Sequence, residues 1–163
     1  MGVDDADAKA RGRALRFLEH QDRTCREVEQ RLVRYGYTED VVSGVVQWLR
    51  ELDYLDDARF AQNLAAQKRR EGWGPVRIRQ TLLRKGVSAG LTAAAIEEPP
   101  DLDALVALVR RRFAVAAAAE PAAARRKAGA FLARKGHTWE VIAVVLARAL
   151  GAGVEEDLEA GET

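Results

Sequence analysis

Three glycines spaced 50 residues apart constrain the fold of this 163-residue chain more than any other feature of its sequence. Gly36, Gly86 and Gly136 lie in segments that align without a gap, RLVRYGYTEDVVSGVV, TLLRKGVSAGLTAAAI and FLARKGHTWEVIAVVL. A fixed period of this length is typical of chains built from repeated supersecondary units, in which neighbouring units cover one another's apolar faces. The sequence therefore predicts three tandem structural repeats.

Apolar residues recur at helical spacing on both sides of each glycine. Upstream, positions i, i+4 and i+5 are apolar in every repeat: Val28, Leu32 and Val33; Ile78, Leu82 and Leu83; Ala128, Leu132 and Ala133. Downstream, the same spacing returns: Val41, Val45 and Val46; Leu91, Ala95 and Ile96; Val141, Val145 and Leu146. Each glycine is therefore expected to end one helix in the left-handed conformation. The next helix is then capped by the hydroxyl residue two positions on, which is Thr38, Ser88 or Thr138.

Each repeat has a further helical segment ahead of this pair. These segments are residues 11–20, 57–71 and 102 to about 119. Thr24 and Glu27 have the spacing of a capping box, and Asp56 is expected to cap the helix that follows it. An aromatic content of only 6% also favours helices over strands.

The predicted fold is all-α, with three tandem three-helix, helix-turn-helix-like repeats in an elongated, curved array. Its expected parts are a disordered N-terminus (1–10), repeats at 11–55, 56–100 and 101–150, and a disordered acidic tail (151–163). The longest apolar runs fall far short of the ~20 residues that span a membrane, and no signal-peptide core is present. We therefore expect a cytoplasmic protein.

Positive charge is concentrated in two segments, although the net charge of the whole chain is only +1. Residues 57–86 carry eight Lys or Arg against two Asp or Glu, and residues 101–150 carry nine against four. Such segments indicate a partner with an anionic or mixed-charge surface.

The sequence offers little for catalysis or metal binding. Cys25 is the single cysteine, so it cannot form an intramolecular disulfide and is expected to be an idle thiol. His20 and His137 have no ligand cluster near them. Because no nucleophile–base pattern or paired carboxylates in an apolar setting are found either, we expect neither an enzyme nor a cofactor or metal. Turnover of ATP or DNA by the purified chain would favour a hydrolase instead.

The stretch REGWGPVRIRQTLLRKGVS, residues 70–88, combines a glycine-rich turn with dense positive charge. It lacks the pattern of a phosphate-binding loop, and its glycines and proline fit a joint between two helices. Its cations fit helix C-termini, but their number suggests a binding surface. The candidate contact residues are Arg69, Arg70, Trp73, Arg77, Arg79, Arg84 and Lys85. Trp73 also suits packing within the joint, and capping explains Asp56 and Asp57 better than a metal site.

Residues 52–87 resemble the central repeat of the RecX family, bacterial regulators of the RecA recombinase. The resemblance is carried by Tyr54-Leu55-Asp56-Asp57, Arg59-Phe60-Ala61, Gly72-Trp73-Gly74-Pro75, Ile78, Leu82 and Lys85-Gly86-Val87. The flanking repeats extend it over most of residues 11–150, although the third repeat is alanine-rich and lacks the tryptophan-glycine joint.

The resemblance implies a non-catalytic protein that binds RecA filaments on single-stranded DNA and suppresses ATP hydrolysis and strand exchange. The expected partner is then the RecA filament, with single-stranded DNA as a second candidate and the chain itself as a monomer. The residues leave open an alternative, a basic helix-turn-helix-like module that acts on DNA directly. Affinity for naked single strands and its salt dependence would separate the two.

Overall fold

The computed structural model of the chain describes residues 3–151, so the predicted acidic tail lies outside the described residues from position 152 onward. The described residues form nine helices and no strand. The helices are α1 (Val3–Leu18), α2 (Cys25–Arg34), α3 (Glu39–Glu51), α4 (Asp57–Arg70), α5 (Pro75–Arg84), α6 (Ala89–Ile96), α7 (Leu102–Ala119), α8 (Pro121–Lys135) and α9 (Trp139–Leu150). The predicted all-α fold of three three-helix repeats is confirmed. Within residues 3–151, no helix is long and apolar enough to cross a membrane.

The three repeated glycines end helices in the predicted manner. Gly36, Gly86 and Gly136 have φ angles of 84°, 86° and 88°, in the left-handed region that side chains with a Cβ rarely adopt. The amide of each donates to the carbonyl three residues back, which closes the last turn of the helix. The repeat of 50 residues is thus a repeat of the same helix C-terminus.

The predicted N-caps are confirmed at Thr38, Ser88 and Thr138. Among the three, Ser88 also uses its side chain, since Oγ accepts a hydrogen bond from the Leu91 amide at 3.3 Å. Their backbone is extended, which turns the chain from the glycine into the next helix.

Two further caps agree with the sequence. The capping box is complete at the start of α2, where Thr24 Oγ1 accepts from the Glu27 amide and the Glu27 carboxylate accepts from the Thr24 amide. Asp56 Oδ1 accepts from the Arg59 amide at 2.9 Å and so caps α4. Each such cap stabilises its helix by about 0.5–2 kcal/mol.

The N-terminus differs from the prediction. Helix α1 spans Val3–Leu18, whereas the sequence suggested a disordered stretch over residues 1–10 and a helix from residue 11 to 20. The added turns are mostly polar, and Ala10 is the one buried residue among residues 5–10, so they carry little apolar signal. Ion pairs one helical turn apart, such as Lys9 to Asp5 at 2.7 Å, also support the added turns.

The apolar stripe is narrower than predicted. In the helices that precede the glycines, positions i and i+4 are buried in every repeat, but Val33, Leu83 and Ala133 at i+5 are all exposed, the first two by 59% and 41%. A helix turns about 100° per residue, so i+5 lies about 140° from i and points away from the core. The expectation of a three-residue apolar face is therefore wrong at its third position in these helices, whereas Val46 and Leu146, the third residues of two of the sets after the glycines, are buried.

The chain divides into two compact units. The first contains the residues up to Gln67 together with Arg79–Glu98, and the second contains Lys68–Ile78 together with the residues from Pro99 on. The first is centred on Ala10, Ala14, Val28, Leu32, Val42, Val45, Val46, Leu49 and Leu55. The second is centred on Leu105, Val106, Val109, Ala128, Leu132, Ile142, Val145 and Leu146. Each unit thus has its own apolar cluster.

Candidate partner-binding surface

The glycine-rich stretch at residues 72–75 is a joint between α4 and α5, as predicted. Gly72 has a φ of 78°, and its amide donates to the Arg69 carbonyl at 2.8 Å. The Trp73 amide donates to the Lys68 carbonyl at 2.9 Å, and Pro75 begins α5. These bonds close the end of α4, which leaves the next residues to enter a new helix.

The start of α5 lies against the glycine turn that follows α8. The Gly74 amide donates to the Lys135 carbonyl at 2.8 Å, and the Val76 amide donates to the Gly136 carbonyl at 3.1 Å. The unpaired N–H groups of one helix start thus meet the unpaired carbonyls of another helix end. A Cβ at position 74 would lie 2.2 Å from the Gly136 oxygen, so this contact requires glycine.

Trp73 and Arg77 belong to the same contact. The Arg77 guanidinium lies over the indole ring, with Cζ 3.8 Å from the ring centroid, and Lys68 Nζ lies 4.9 Å from it. Arg77 Nη1 also donates to the Arg134 carbonyl at 3.4 Å. Arg77 therefore has a structural role in holding α5 to the turn after α8, and Trp73 supports it by stacking under the guanidinium; neither role depends on a partner.

His137 completes this contact from the turn after α8. Its imidazole is buried, and Nε2 donates to the Gly72 carbonyl at 3.0 Å. Burial lowers the pKa of His137 below its ordinary value of 6.5, and the nearby Lys135 charge lowers it further, against the opposite effect of the Gly72 carbonyl. Within residues 3–151, Nδ1 has no hydrogen-bond partner. The neutral ring is therefore the form that fits this site.

Lys85 forms a second contact of the same kind in the first unit. Its carbonyl accepts from Thr24 Oγ1 at 2.6 Å, and its ammonium pairs with Glu27 Oε1 at 2.8 Å. Burial raises the pKa of Glu27, but the Lys85 ammonium and the Thr24 amide outweigh it and hold that pKa below its ordinary value. The Arg26 stem covers Gly86, where a Cβ would lie 2.2 Å from Arg26 Cδ. The start of α2 thus lies on the turn after α5.

Cys25 and Asp57 support this second contact. The Cys25 amide donates to Asp57 Oδ1 at 2.9 Å, so the carboxylate caps the start of α2. Burial raises the pKa of the Cys25 thiol to about 11, with the Asp57 charge and hydrogen bond as further causes. The Asp57 carboxylate thus has a structural role. No cluster of metal-ligating side chains occurs within residues 3–151.

The remaining candidates are positioned differently. Arg70, Arg79 and Arg84 are exposed, and Arg84 makes one long hydrogen bond, from Nη2 to Thr81 Oγ1 at 3.4 Å. Arg69, in the last turn of α4, is partly buried. Of the seven predicted contact residues, the three exposed arginines are best placed to meet a partner.

The sequence did not indicate a series of arginines stacked on aromatic rings in the first repeat. Arg13 Cζ lies 4.4 Å from the Tyr35 ring centroid and 5.7 Å from that of Tyr37. Arg31 Cζ lies 5.2 Å from the Phe17 centroid and 5.3 Å from that of Tyr35. The available signal was the pair of tyrosines around the first glycine, where the other repeats have Lys and Val or Lys and His. Positive charge and exposed ring surface coincide here.

Comparison with known proteins matches all three repeats to one family. The first three-helix domain of RecX matches residues 10–49, the second matches residues 56–96 and the third matches residues 100–146. This chain belongs to the RecX family. Proteins named Regulatory protein RecX from Halorhodospira halophila and Acidithiobacillus ferrooxidans are each 35% identical to it. The alignments cover 96% and 90% of this chain and 94% and 92% of those proteins.

Solved RecX structures share the fold. The crystal structure of RecX from Lactobacillus salivarius superposes with a TM-score of 0.82 at 24% identity, covering 90% of this chain and 98% of that one. Another crystal structure of regulatory protein RecX gives 0.72 at 23% identity, covering 87% and 72%. The three matched domains confirm the family resemblance carried by residues 52–87.

Proposed function

We propose that this RecX-family chain binds RecA filaments on single-stranded DNA and inhibits their ATP hydrolysis and strand exchange. The observation that carries the proposal is the match of three successive domains across residues 10–146 to one family of regulatory proteins. The proposal includes a monomer that acts in the cytoplasm without a cofactor and without turnover of its own.

The exposed arginines are the proposed direct contacts. Arg70, Arg79 and Arg84 meet acidic side chains of the filament, DNA phosphates, or both, since guanidinium groups suit either anion. Trp73, Arg77 and Lys85 contribute through the two helix contacts that hold the basic segments in place. Arg69, in the last turn of α4, is only partly buried and remains a candidate for direct contact.

Inhibition follows if the chain binds an inactive filament state more tightly than the active one. A ligand shifts such an equilibrium only by its difference in affinity for the two states. Three linked repeats can contact successive protomers, and simultaneous contacts raise the overall affinity beyond that of each repeat. The chain then acts through binding alone and needs no reacting group.

Direct action on DNA is the second candidate. It is favoured by the arginines stacked on Phe17, Tyr35 and Tyr37, because exposed rings and cations together bind unstacked bases and phosphates. The excess of positive charge over residues 57–86 and 101–150 adds to the expected phosphate affinity.

Co-sedimentation with RecA filaments and with bare single-stranded DNA, side by side at two salt concentrations, tests both candidates. The filament proposal expects tight binding that requires RecA, together with slower ATP hydrolysis by the filament. Equal binding to bare DNA, falling steeply with salt, would support direct action on DNA instead. ATP hydrolysis by the purified chain without RecA would contradict both.

A further inference from the structure

Two of the three repeated glycine turns are covered by the start of a helix, and both contacts follow the same rule. The carbonyl before the glycine accepts a hydrogen bond from the residue that precedes the approaching helix. Thr24 Oγ1 donates to the Lys85 carbonyl at 2.6 Å, and the Gly74 amide donates to the Lys135 carbonyl at 2.8 Å. Donor and acceptor are 61 residues apart in the first pair, and the residue numbers give the same separation in the second. Each turn is therefore a binding site for a helix N-terminus.

The turn at Gly36 is the same structure without an occupant in the described part of the chain. A Cβ placed on Gly36 would meet nothing within 4 Å. Tyr35, the residue before the glycine, is 43% exposed, and no hydrogen bond to its carbonyl occurs within residues 3–151. Tyr37, the residue after the glycine, is partly exposed, whereas its counterparts Val87 and His137 are buried.

The surroundings of this turn define the chemistry of what it binds. In the covered turn of the first unit, the acidic residue at the third helical position, Glu27, pairs with the lysine before the glycine. At the Gly36 turn, the corresponding positive charge comes from Arg13 and Arg31, whose guanidinium groups lie on the Tyr35 ring. An acidic side chain in the first turn of a docked helix would pair with these cations. The dipole of the docked helix also favours an acidic residue at that position.

We propose that the Gly36 turn is a docking site for the N-terminal turn of an α-helix of another protein, with a Ser, Thr or Gly cap and an acidic residue at the third helical position. The cap donates a hydrogen bond to the Tyr35 carbonyl. The acidic residue pairs with Arg13 or Arg31, and the helix backbone passes over the Cα of Gly36, where the absence of a side chain permits close approach.

Among the nine described helices, α1 and α2 have an acidic residue at the third position, and in α1 this residue is Asp5, which already pairs with Lys9 at 2.7 Å. The starts of α2 and α5 already cover the turns after α5 and α8. The corresponding position in the third repeat is Ala124, but α8 begins earlier, at Pro121, so Ala124 lies inside the helix. The occupant is therefore assigned to a different protein.

Hydrogen exchange of the full chain, measured by mass spectrometry with and without RecA filaments, tests the site. The use of RecA filaments as the probe rests on the proposed function. With the chain saturated by filaments, amide exchange over residues 33–38 should slow by about tenfold. The covered turns at residues 83–88 and 133–138 are internal controls and should change little. Filament binding without protection of residues 33–38 would overturn the docking site and leave the proposed function standing.

A second probe distinguishes failure of the docking site from failure of the proposed function. A helical peptide with a Thr cap and Glu at the third position should shift the backbone amide NMR signals of Gly36 and Tyr37, but not that of Gly86. If filaments do not bind at all, the proposed function fails, and this titration alone decides the docking site. Protection of residues 33–38 by bare single-stranded DNA, or by high concentrations of the chain alone, would assign the turn to nucleic acid or to a second copy and contradict the proposal.

A matched pair of variants tests the charge requirement. Arg13→Glu reverses a charge on the Tyr35 ring and should weaken peptide binding by about tenfold, as expected for loss of one interface anchor. Arg111→Glu makes the same change at an exposed position of α7 and should leave peptide affinity unchanged. Equal affinities for the two variants would contradict the role of Arg13.

Discussion

Replacing Gly74 by alanine should push the start of α5 away from the turn after α8. The new Cβ would lie 2.2 Å from the Gly136 oxygen and 2.5 Å from the His137 amide nitrogen, both backbone atoms that cannot rotate away. The two backbone hydrogen bonds across this contact contribute about 0.5–1.5 kcal/mol each, and overpacking costs about 1–3 kcal/mol more. Alanine also lowers the conformational entropy of the unfolded chain, which offsets about 0.4–1 kcal/mol of this loss. The net loss of unfolding free energy should be roughly 1–6 kcal/mol.

Urea unfolding followed by far-ultraviolet circular dichroism measures this loss. Gly44→Ala is the matched control, because Gly44 lies within α3 and an added Cβ meets nothing within 4 Å. That variant should gain about 0.5–1 kcal/mol from better helix propensity. If Gly74→Ala were as stable as the native chain, the close approach of α5 to the Gly136 turn would not be the tight contact described above.

Three further outcomes are expected. Because the pKa of folded His137 lies below 6.5, the unfolding free energy should be steady above about pH 6.5 and fall as the pH drops from there through the lower folded pKa. His137→Gln should flatten this dependence in urea titrations at several pH values, and an unchanged dependence would contradict the role of the buried imidazole. Arg79→Glu with Arg84→Glu should leave the urea midpoint unchanged and relieve inhibition of RecA ATP hydrolysis; undiminished inhibition would exclude these contacts. Leu82→Ala, at a fully buried position, should lose about 2–5 kcal/mol, and a smaller loss in urea would contradict its place in the core.

The turns of this fold are predictable from sequence because their chemistry is local. A glycine at the end of an apolar periodicity, followed two residues later by Thr or Ser, determines a helix end and the next helix start within three residues. Gly36, Gly86 and Gly136 therefore identified the repeats and their order. The start of α1 was missed because Ala10, the buried residue of its added turns, is small and gives a weak apolar signal.

The contacts between repeats are not predictable in the same way. Arg77 and Lys85 look like other basic residues near helix termini, and their distant partners, Arg134 and Glu27, are defined by which helix start meets which turn. That pairing joins residues about 60 positions apart, and no local periodicity encodes it. The sequence thus indicated the positive charge of the candidate surface but could not separate its exposed arginines from its structural ones.

The environment of Cys25 has a practical consequence for studying the chain. Maleimides and other thiol-directed dyes react with the thiolate, and a thiol with a pKa of about 11 is almost entirely protonated at neutral pH. A cysteine introduced at an exposed site outside the proposed contacts, such as Arg111, would react far faster. Fluorophores for single-molecule work can therefore be attached selectively while the native residue, and the helix start it belongs to, stay intact.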